Sequence, residues 1–409
     1  MSAKRKTIVG VIFGGRSVEH DVSIVTGQQV MMAFNPEQYE VVPIYITRDG
    51  KWLTGSPLKD IHNYREDITR HKEVEPAILS PSVQQHGLII NPLPGRFQKS
   101  IVRRLDVVFP AIHGSHGEDG SLQGLLEMAD IPYVGCGVLS SALANDKALV
   151  KRVLRENNIP VLDDIVFSRA EWLEDRAAIL ARIKATFAYP VFVKPVTLGS
   201  SIGVARVDSD DLLAISIDMA ASFDRRVLIE PAVMGGVEIN CAVMGQGRHI
   251  ETSVLEQPVS WQEFLTYEEK YLRGGGGMKG AERIIPAPIS DELAAQIRNY
   301  AVAAFQAIDG RGIARVDFLV KGHTNADGKP VEIYLEELNT MPGSLAFYLW
   351  EEAGMTPGDV VHKLVKLAQD AHAEKRRNLY DYQTGLVELT ATRGLKGVKG
   401  VKGGGAKSR

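Results

Sequence analysis

The first third of the chain alternates short apolar runs with helix-patterned segments, and that rhythm leaves few folds open. TIVGVIFGG (7–15) is a buried-strand pattern that runs into glycines, and VEHDVSIVTGQQVMMAF (18–34) has helical periodicity. YEVVPIYIT (39–47) and LDVVFPAIHG (105–114) read as further strands. Strand, helix and strand in succession predict an open α/β sheet. Residues 56–100 are rich in Pro, His and charge, lack periodicity, and read as an insertion or long loops.

A chain of 409 residues is too long for one small core, so two or three domains are expected. A net charge of −3 supplies no basic field for nucleic acid. Cys136 and Cys241 lie far apart, which suggests a reducing compartment rather than a disulfide scaffold. The basic start is followed by an apolar run too short for a signal peptide, and no run reaches the ~18 apolar residues of a membrane span. A cytoplasmic protein is expected, with no nucleic-acid or membrane partner.

The middle and last thirds change character. SSALANDKALVKRVLRENNIP (140–160) reads as one helix stopped by proline. YPVFVKP, a glycine-serine turn and GVARV form a hairpin between 189 and 207, and RVLIEPAV (226–233) is another strand. VEINCAVMG, IARVDFLV and VEIYLEELN are strands around a helix from about 291 to 308. An amphipathic helix closes the fold at 356–377. The tail RGLKGVKGVKGGGAKSR has no acidic residue and is expected to be disordered.

Lys194 sits inside the apolar run of the hairpin. Strand alternation puts it on one face with Phe192, opposite Val191 and Val193. A buried ammonium is costly unless it meets an anion. The loop Gly199–Gly203 that follows offers serine hydroxyls and backbone N–H groups suited to phosphate oxygens. A snorkelling lysine on a flexible hairpin fits the same residues. The end of the chain holds a second cluster. Arg315 and Asp317 share a strand face. Simple alternation puts Ile333, Leu335, Glu337 and Asn339 on one face of the last strand, with Glu332, Tyr334, Glu336 and Leu338 on the other. Asp, Glu and Asn oxygens suit Mg²⁺ shared with substrate phosphates. FGGRSVEHDVS joins a glycine turn to a helix start, where Glu19 either favours the helix dipole or holds a substrate ammonium. His113 and His116 lie at another glycine turn without partners at zinc spacing. GEDGSLQGLLE (117–127) reads as a helix with acidic first-turn residues.

Taken in order, GGRSVEHDVS, FPAIHGSHGEDGSLQGLLE, YVGCGVLSSALANDK, FVKPVTLGSSIGV, EEKY, ARVDF and EELNTMPG closely resemble the D-alanine–D-alanine ligases of the ATP-grasp superfamily. The resemblance implies an α/β multidomain ATP-grasp fold: an N-terminal open α/β domain (1–139), a central subdomain (140–234), a catalytic subdomain (235–375) and a largely disordered tail (376–409). It implies ATP-dependent ligation of two D-alanine molecules through a D-alanyl phosphate for peptidoglycan precursor synthesis, with a sister ligase making D-alanyl-D-serine, D-alanyl-D-lactate or another dipeptide as the alternative. A homodimer follows from family habit.

The same resemblance assigns ATP to Lys147, Lys194, Ser200, Ser201, Glu230, Ala232, Val233, Glu238, Phe264 and Lys270. Two Mg²⁺ (or Mn²⁺) fall to Asp317, Glu337 and Asn339. Glu19 would bind the first ammonium, with Ser200 and Tyr271 as its partners. Arg315 and the Gly343 N–H would stabilise the oxyanion, and His113 would lie beside the first substrate. The loop around 260–285, with Gly274–Gly277, is similar to the family's closing lid. In EEKY, Lys270-Tyr271 replaces the histidine of D-lactate-using members and favours an amine acceptor. The serine-leucine pair that holds the second carboxylate in the family comes early here, as Ser344-Leu345. An ungapped match puts Tyr348 and Leu349 in its place.

Overall fold

Three sheets organise the chain. The computed structural model describes residues 5–95, 99–259, 283–322, 330–382 and 384–393. The expected Phe264, Lys270, Tyr271 and Gly274–Gly277 lie outside the described residues, as does the tail from 394. Short of that tail, a helix spans Leu386–Arg393 within the stretch expected to be largely disordered.

The N-terminal sheet has seven strands: Ile101–Arg104, Gly87–Ile90, Glu75–Leu79, Trp52–Thr54, Tyr39–Ile46, Thr7–Gly14 and Val107–Pro110. Thr7–Gly14 runs parallel to both of its neighbours, and the far strands are antiparallel. Residues 56–100 are therefore not simply loops. They give three 3₁₀ turns and strands that widen the sheet. Their short strands carry mixed exposed and buried residues, which hides the alternation. Val9, Val11 and Phe13 face one core and Ile12 another, which packs against Leu122 and Leu126 of the helix Ser121–Met128. At the strand end Gly14 has φ +85°, and a Cβ there would lie 2.3 Å from the Ile46 carbonyl, so only glycine makes this turn.

A four-stranded antiparallel sheet, in the order Ala205–Val207, Val191–Pro195, Arg226–Pro231, Ile165–Ser168, contains the expected hairpin. Val191 and Val193 enter its core, leaving Phe192 and Lys194 for the other face. The third sheet is antiparallel: Arg283–Ile284, His249–Pro258, Gly236–Gln246, Arg311–Lys321, Glu332–Asn339.

One expectation fails for a local reason. The single helix of 140–160 is two, Val138–Asn145 and Lys147–Glu156. Asp146 leaves helical geometry (φ −96°, ψ 95°), and its carboxylate caps Leu149 N–H while pairing with Arg226. Val150 and Leu154 of the second helix pack into the core of the third sheet rather than that of the hairpin sheet. The closing helix Pro357–Lys375 starts at a Thr356–Asp359 capping box. Its Val361, Leu364 and Val365 bury with Val11 of the first sheet and Met244 of the third, joining the two. Among the described residues, no helix is long and apolar enough to cross a membrane.

Candidate active site

The edges of the three sheets meet at two adjoining cavities that share Lys147, Leu198, Gly199, Glu238, Pro258 and Glu337. The second cavity is bounded by Phe192, Lys194, Ser201, Glu230, Val233, Asp317 and Glu336. The first is bounded by Glu19, His113, Glu118, Ser200, Arg315, Asn339, Gly343 and Ser344.

Lys194 finds its anions. Its Nζ lies 2.5 Å from Glu230 Oε1 and 2.7 Å from Glu336 Oε1. Burial alone would lower the ammonium pKa, but the two carboxylates outweigh it and the net shift is upward. The other oxygen of Glu230 pairs with Lys151, one helical turn beyond Lys147 and buried. Burial pushes the Glu230 carboxyl up, yet the two lysines hold it well below the ordinary carboxylate range. Lys147 donates to the Leu198 carbonyl and to Glu337 Oε1, both at 2.7 Å.

The last strand departs from simple alternation. Asp317 faces Glu337, but Phe318 faces Leu335, so a β-bulge absorbs Glu336. Ile333 and Leu335 are buried before the bulge and Leu338 after it, while Glu336, Glu337 and Asn339 stand outside the core. The expected grouping of Glu337 and Asn339 with Ile333 and Leu335 is therefore wrong. Glu336, expected on the opposite face, reaches the same cleft as Glu337. Asp317 accepts from Arg315 Nε and Nη2, both at 2.7 Å, and from Asn339 Nδ2 at 2.9 Å.

On the N-terminal side Ser200 donates to Glu19 Oε1, tying the glycine-serine loop to the first domain. Ser200 and Ser201 have φ near +54° and +58°. His113 is buried, its backbone N–H donating to Ser23 Oγ at 2.8 Å and its Nε2 lying 2.7 Å from Thr26 Oγ1. Burial lowers its pKa to about 4, so the ring is neutral near pH 7. His116, in contrast, is exposed. Glu118 and Asp119 precede the helix, which starts at Ser121, rather than forming its first turn. Glu118 accepts from Gly114 N–H (2.8 Å) and Met341 N–H (3.0 Å), joining two loops that wall the first cavity. Burial and the nearby Glu19 push its pKa up to about 8.

Two of the expected ligand residues line neither cavity. Leu345 is fully buried in the core and does not line either cavity, whereas its neighbour Ser344 does. Ala232 gives its N–H to the Pro190 carbonyl, while its neighbour Val233 lines the second cavity. Ser344, Leu345 and Ala346 all have φ near +50°, a left-handed turn for three residues with side chains. It brings Tyr348 onto the first cavity. There Tyr348 Oη donates to Glu256 at 2.6 Å, and the Arg283 guanidinium lies 4.2 Å above the Tyr348 ring centroid.

Sequence reasoning passed over Lys151, Glu118, Glu256 and Arg283. Only Lys151 carried a usable signal, its i+4 spacing from Lys147. Among the described residues no group of three His, Cys, Asp or Glu side chains is placed to hold a metal by itself. Asp317, Glu337 and Asn339 remain a hard-oxygen set on adjacent strands, which fits Mg²⁺ that takes its other ligands from phosphate and water.

Two family models match the chain: the D-ala D-ala ligase N-terminus over residues 8–136 and the D-ala D-ala ligase C-terminus over residues 153–366. A D-alanine–D-alanine ligase of Thermosipho africanus is 38% identical over 381 residues, covering 93% of this chain and 98% of the relative. One from Chloroherpeton thalassium is 37% identical, covering 91% and 98%. Among solved structures, the VanG D-Ala:D-Ser ligase from Enterococcus faecalis superposes with a TM-score of 0.74 at 30% identity, covering 89% of this chain and 100% of that one. The D-alanine–D-alanine ligase from Coxiella burnetii gives 0.73 at 27% identity, covering 95% and 100%.

Proposed function

The chain belongs to the D-ala D-ala ligase family of ATP-dependent ligases, and from that premise we propose that it joins two D-alanine molecules into D-alanyl-D-alanine, a peptidoglycan precursor, with release of ADP and phosphate. The observation that carries this reading is the shared wall of the two cavities. A cation-lined space suited to a triphosphate opens into one suited to a small zwitterion.

In this reading ATP occupies the second cavity. Val233 and Glu230 meet the adenine, Glu238 the ribose, and Lys147, Lys194 and the Ser200–Ser201 loop the phosphates. Asp317, Glu337 and Asn339 would hold Mg²⁺, which when bound neutralises phosphate charge. The first D-alanine sits in the first cavity with its ammonium on Glu19 and its carboxylate toward the γ-phosphate. Carboxylate attack on the γ-phosphorus gives D-alanyl phosphate and ADP. The amine of the second D-alanine, having lost a proton, attacks the acyl carbon, and phosphate leaves with the former carboxylate oxygen. Arg315 and the Gly343 N–H stabilise the tetrahedral oxyanion. In-line transfer asks the protein for positioning and charge more than for covalent help. Neutral His113 packs beside the first substrate without adding a repelling charge to its ammonium. A cytoplasmic homodimer belongs to the same proposal.

A second reading, a sister ligase with D-serine or D-lactate as acceptor, is favoured by the left-handed turn at Ser344–Ala346, which re-forms the acceptor side of the cavity. Mg²⁺- and ATP-dependent phosphate release decides between them, run with D-alanine alone and then with D-serine, D-lactate or L-alanine added, with products identified by mass. D-alanyl-D-alanine from D-alanine alone supports the first reading. Turnover only with another acceptor supports the second.

A further inference from the structure

The helix His20–Ala33 and the residue before it carry a buried polar stripe. Glu19, Ser23 and Thr26 are spaced i, i+4 and i+7, so they share one helix face. All three are buried, Ser23 and Thr26 fully. Glu19 accepts from Ser200, and Ser23 Oγ accepts the His113 backbone N–H at 2.8 Å. Thr26 makes two contacts from one hydroxyl. Its Oγ1 accepts the Ser344 N–H at 3.3 Å and lies 2.7 Å from His113 Nε2.

The burial of Thr26 fixes the direction of the second contact. A hydroxyl has one proton to give. If the ring donated from Nε2, that proton would be stranded in a fully buried place, where among the described residues no other acceptor reaches it. The hydroxyl therefore donates to Nε2, and the ring proton sits on Nδ1. The neutral state of the ring, whose pKa burial lowers to about 4, leaves one nitrogen able to accept. The Met341 backbone opposes that lowering as a hydrogen-bond partner, as a carbonyl taking a ring N–H does. On the same loop the Met341 N–H goes to Glu118 at 3.0 Å. The loop is thus held to the N-terminal domain on either side of Gly343, at Met341 and at Ser344. Ser344, Leu345 and Ala346 keep φ near +50°, a conformation that persists only where its surroundings impose it.

We propose that Thr26 is a positioning residue for the ligation step, relaying between the Ser344 N–H and His113 Nε2 so that the ring keeps its Nδ1–H tautomer and the Gly343 N–H keeps its direction toward the oxyanion. The proposal rests on the ligase reading above. Gly343 and Ser344 are adjacent, so an anchored Ser344 N–H restrains the peptide planes beside the oxyanion donor. Thr26 itself lines neither cavity and acts through His113 and Gly343, which line the first.

The test pairs Thr26→Val, which keeps the shape and removes the hydroxyl, with Thr26→Ser, which keeps the hydroxyl. Thr26→Val lowers kcat for dipeptide formation by about tenfold to a hundredfold, the loss expected when a buried donor and a buried acceptor lose their shared partner, and leaves the KM for ATP unchanged. Thr26→Ser restores most of kcat. Nitrogen-15 NMR of the unaltered protein, with the His113 signals assigned by their absence from His113→Gln, shows the ring proton on Nδ1, and in Thr26→Val the ring exchanges between tautomers. A proton on Nε2 in the unaltered protein overturns the relay. Unchanged kcat in Thr26→Val, or a loss in Thr26→Ser as large as that expected of valine, overturns the positioning role. Should Thr26→Val fail to fold, the tautomer of the unaltered protein and the kcat of Thr26→Ser decide the matter. Absence of dipeptide from an unaltered protein whose ring carries its proton on Nδ1 overturns the ligase reading and leaves the relay in place, so the two failures are distinct.

Discussion

Glu336 and Glu337 are consecutive in sequence yet both reach into one cleft, Glu336 to Lys194 and Glu337 to Lys147, each at 2.7 Å. Adjacent strand residues ordinarily point to opposite faces. The bulge opposite Asp317 and Phe318 removes that constraint, so the strand ends with a pair of carboxylates between two lysines from different elements. In the ligase reading the two differ in role. Glu337→Ala should abolish turnover while circular dichroism and melting temperature stay near those of the parent. Glu336→Gln, at a site 29% exposed, should raise the KM for ATP by about five- to tenfold with little change in kcat. Steady-state kinetics on the two variants checks the division, and equal losses in both contradict it.

The Lys151–Glu230–Lys194 cluster predicts a stability pattern. Lys151→Met leaves the buried Glu230 with one lysine in place of two and should cost about 3 kcal/mol in urea unfolding. Lys151→Met combined with Glu230→Leu removes the uncompensated charge, and Lys194 keeps Glu336, so the double variant should be more stable than the single. A double variant less stable than Lys151→Met argues against this account of the cluster.

His113 predicts a pH dependence. Its folded pKa of about 4 lies below the ordinary 6.5, so between those values the unfolded chain takes up a proton that the folded chain refuses. The contribution is present in full above pH 6.5 and is lost as pH falls toward 4, amounting to about 3 kcal/mol at most. Urea midpoints measured from pH 7.5 to 4.5 should fall less steeply for His113→Gln than for the parent. Parallel curves contradict a buried neutral ring.

The contact between Ser200 and Glu19 joins the glycine-serine loop to the N-terminal domain across 181 positions. Ser200→Ala should weaken the first D-alanine more than ATP, raising the donor constant by about tenfold for one lost charge-assisted hydrogen bond. A rise confined to the KM for ATP points instead to a purely phosphate-binding loop.

The strands that carry Lys194, Arg315 and Asp317, and the strand and glycine turn that lead to Glu19 at a helix start, were legible in the sequence, because each strand is a regular apolar run ended by a turn or a polar group. What escaped was irregular or long-range. A bulge leaves no mark in LEELN, so alternation puts Glu336 on the wrong face. Asp146 suits a helix interior poorly but does not stop the eye, so two helices read as one. Glu256, Arg283 and Tyr348 come from three separated segments and become a unit only when the third sheet folds. The early Ser344-Leu345 announced a changed acceptor segment, but only the left-handed turn shows that serine and tyrosine face the cavity while the leucines enter the core.

The central claim is that the shared wall of the two cavities activates a carboxylate as an acyl phosphate. Turnover of D-alanine labelled with ¹⁸O in its carboxylate, with unlabelled ATP and Mg²⁺, tests this most directly. The account predicts D-alanyl-D-alanine together with phosphate carrying one ¹⁸O. Dipeptide accompanied by unlabelled phosphate would contradict it.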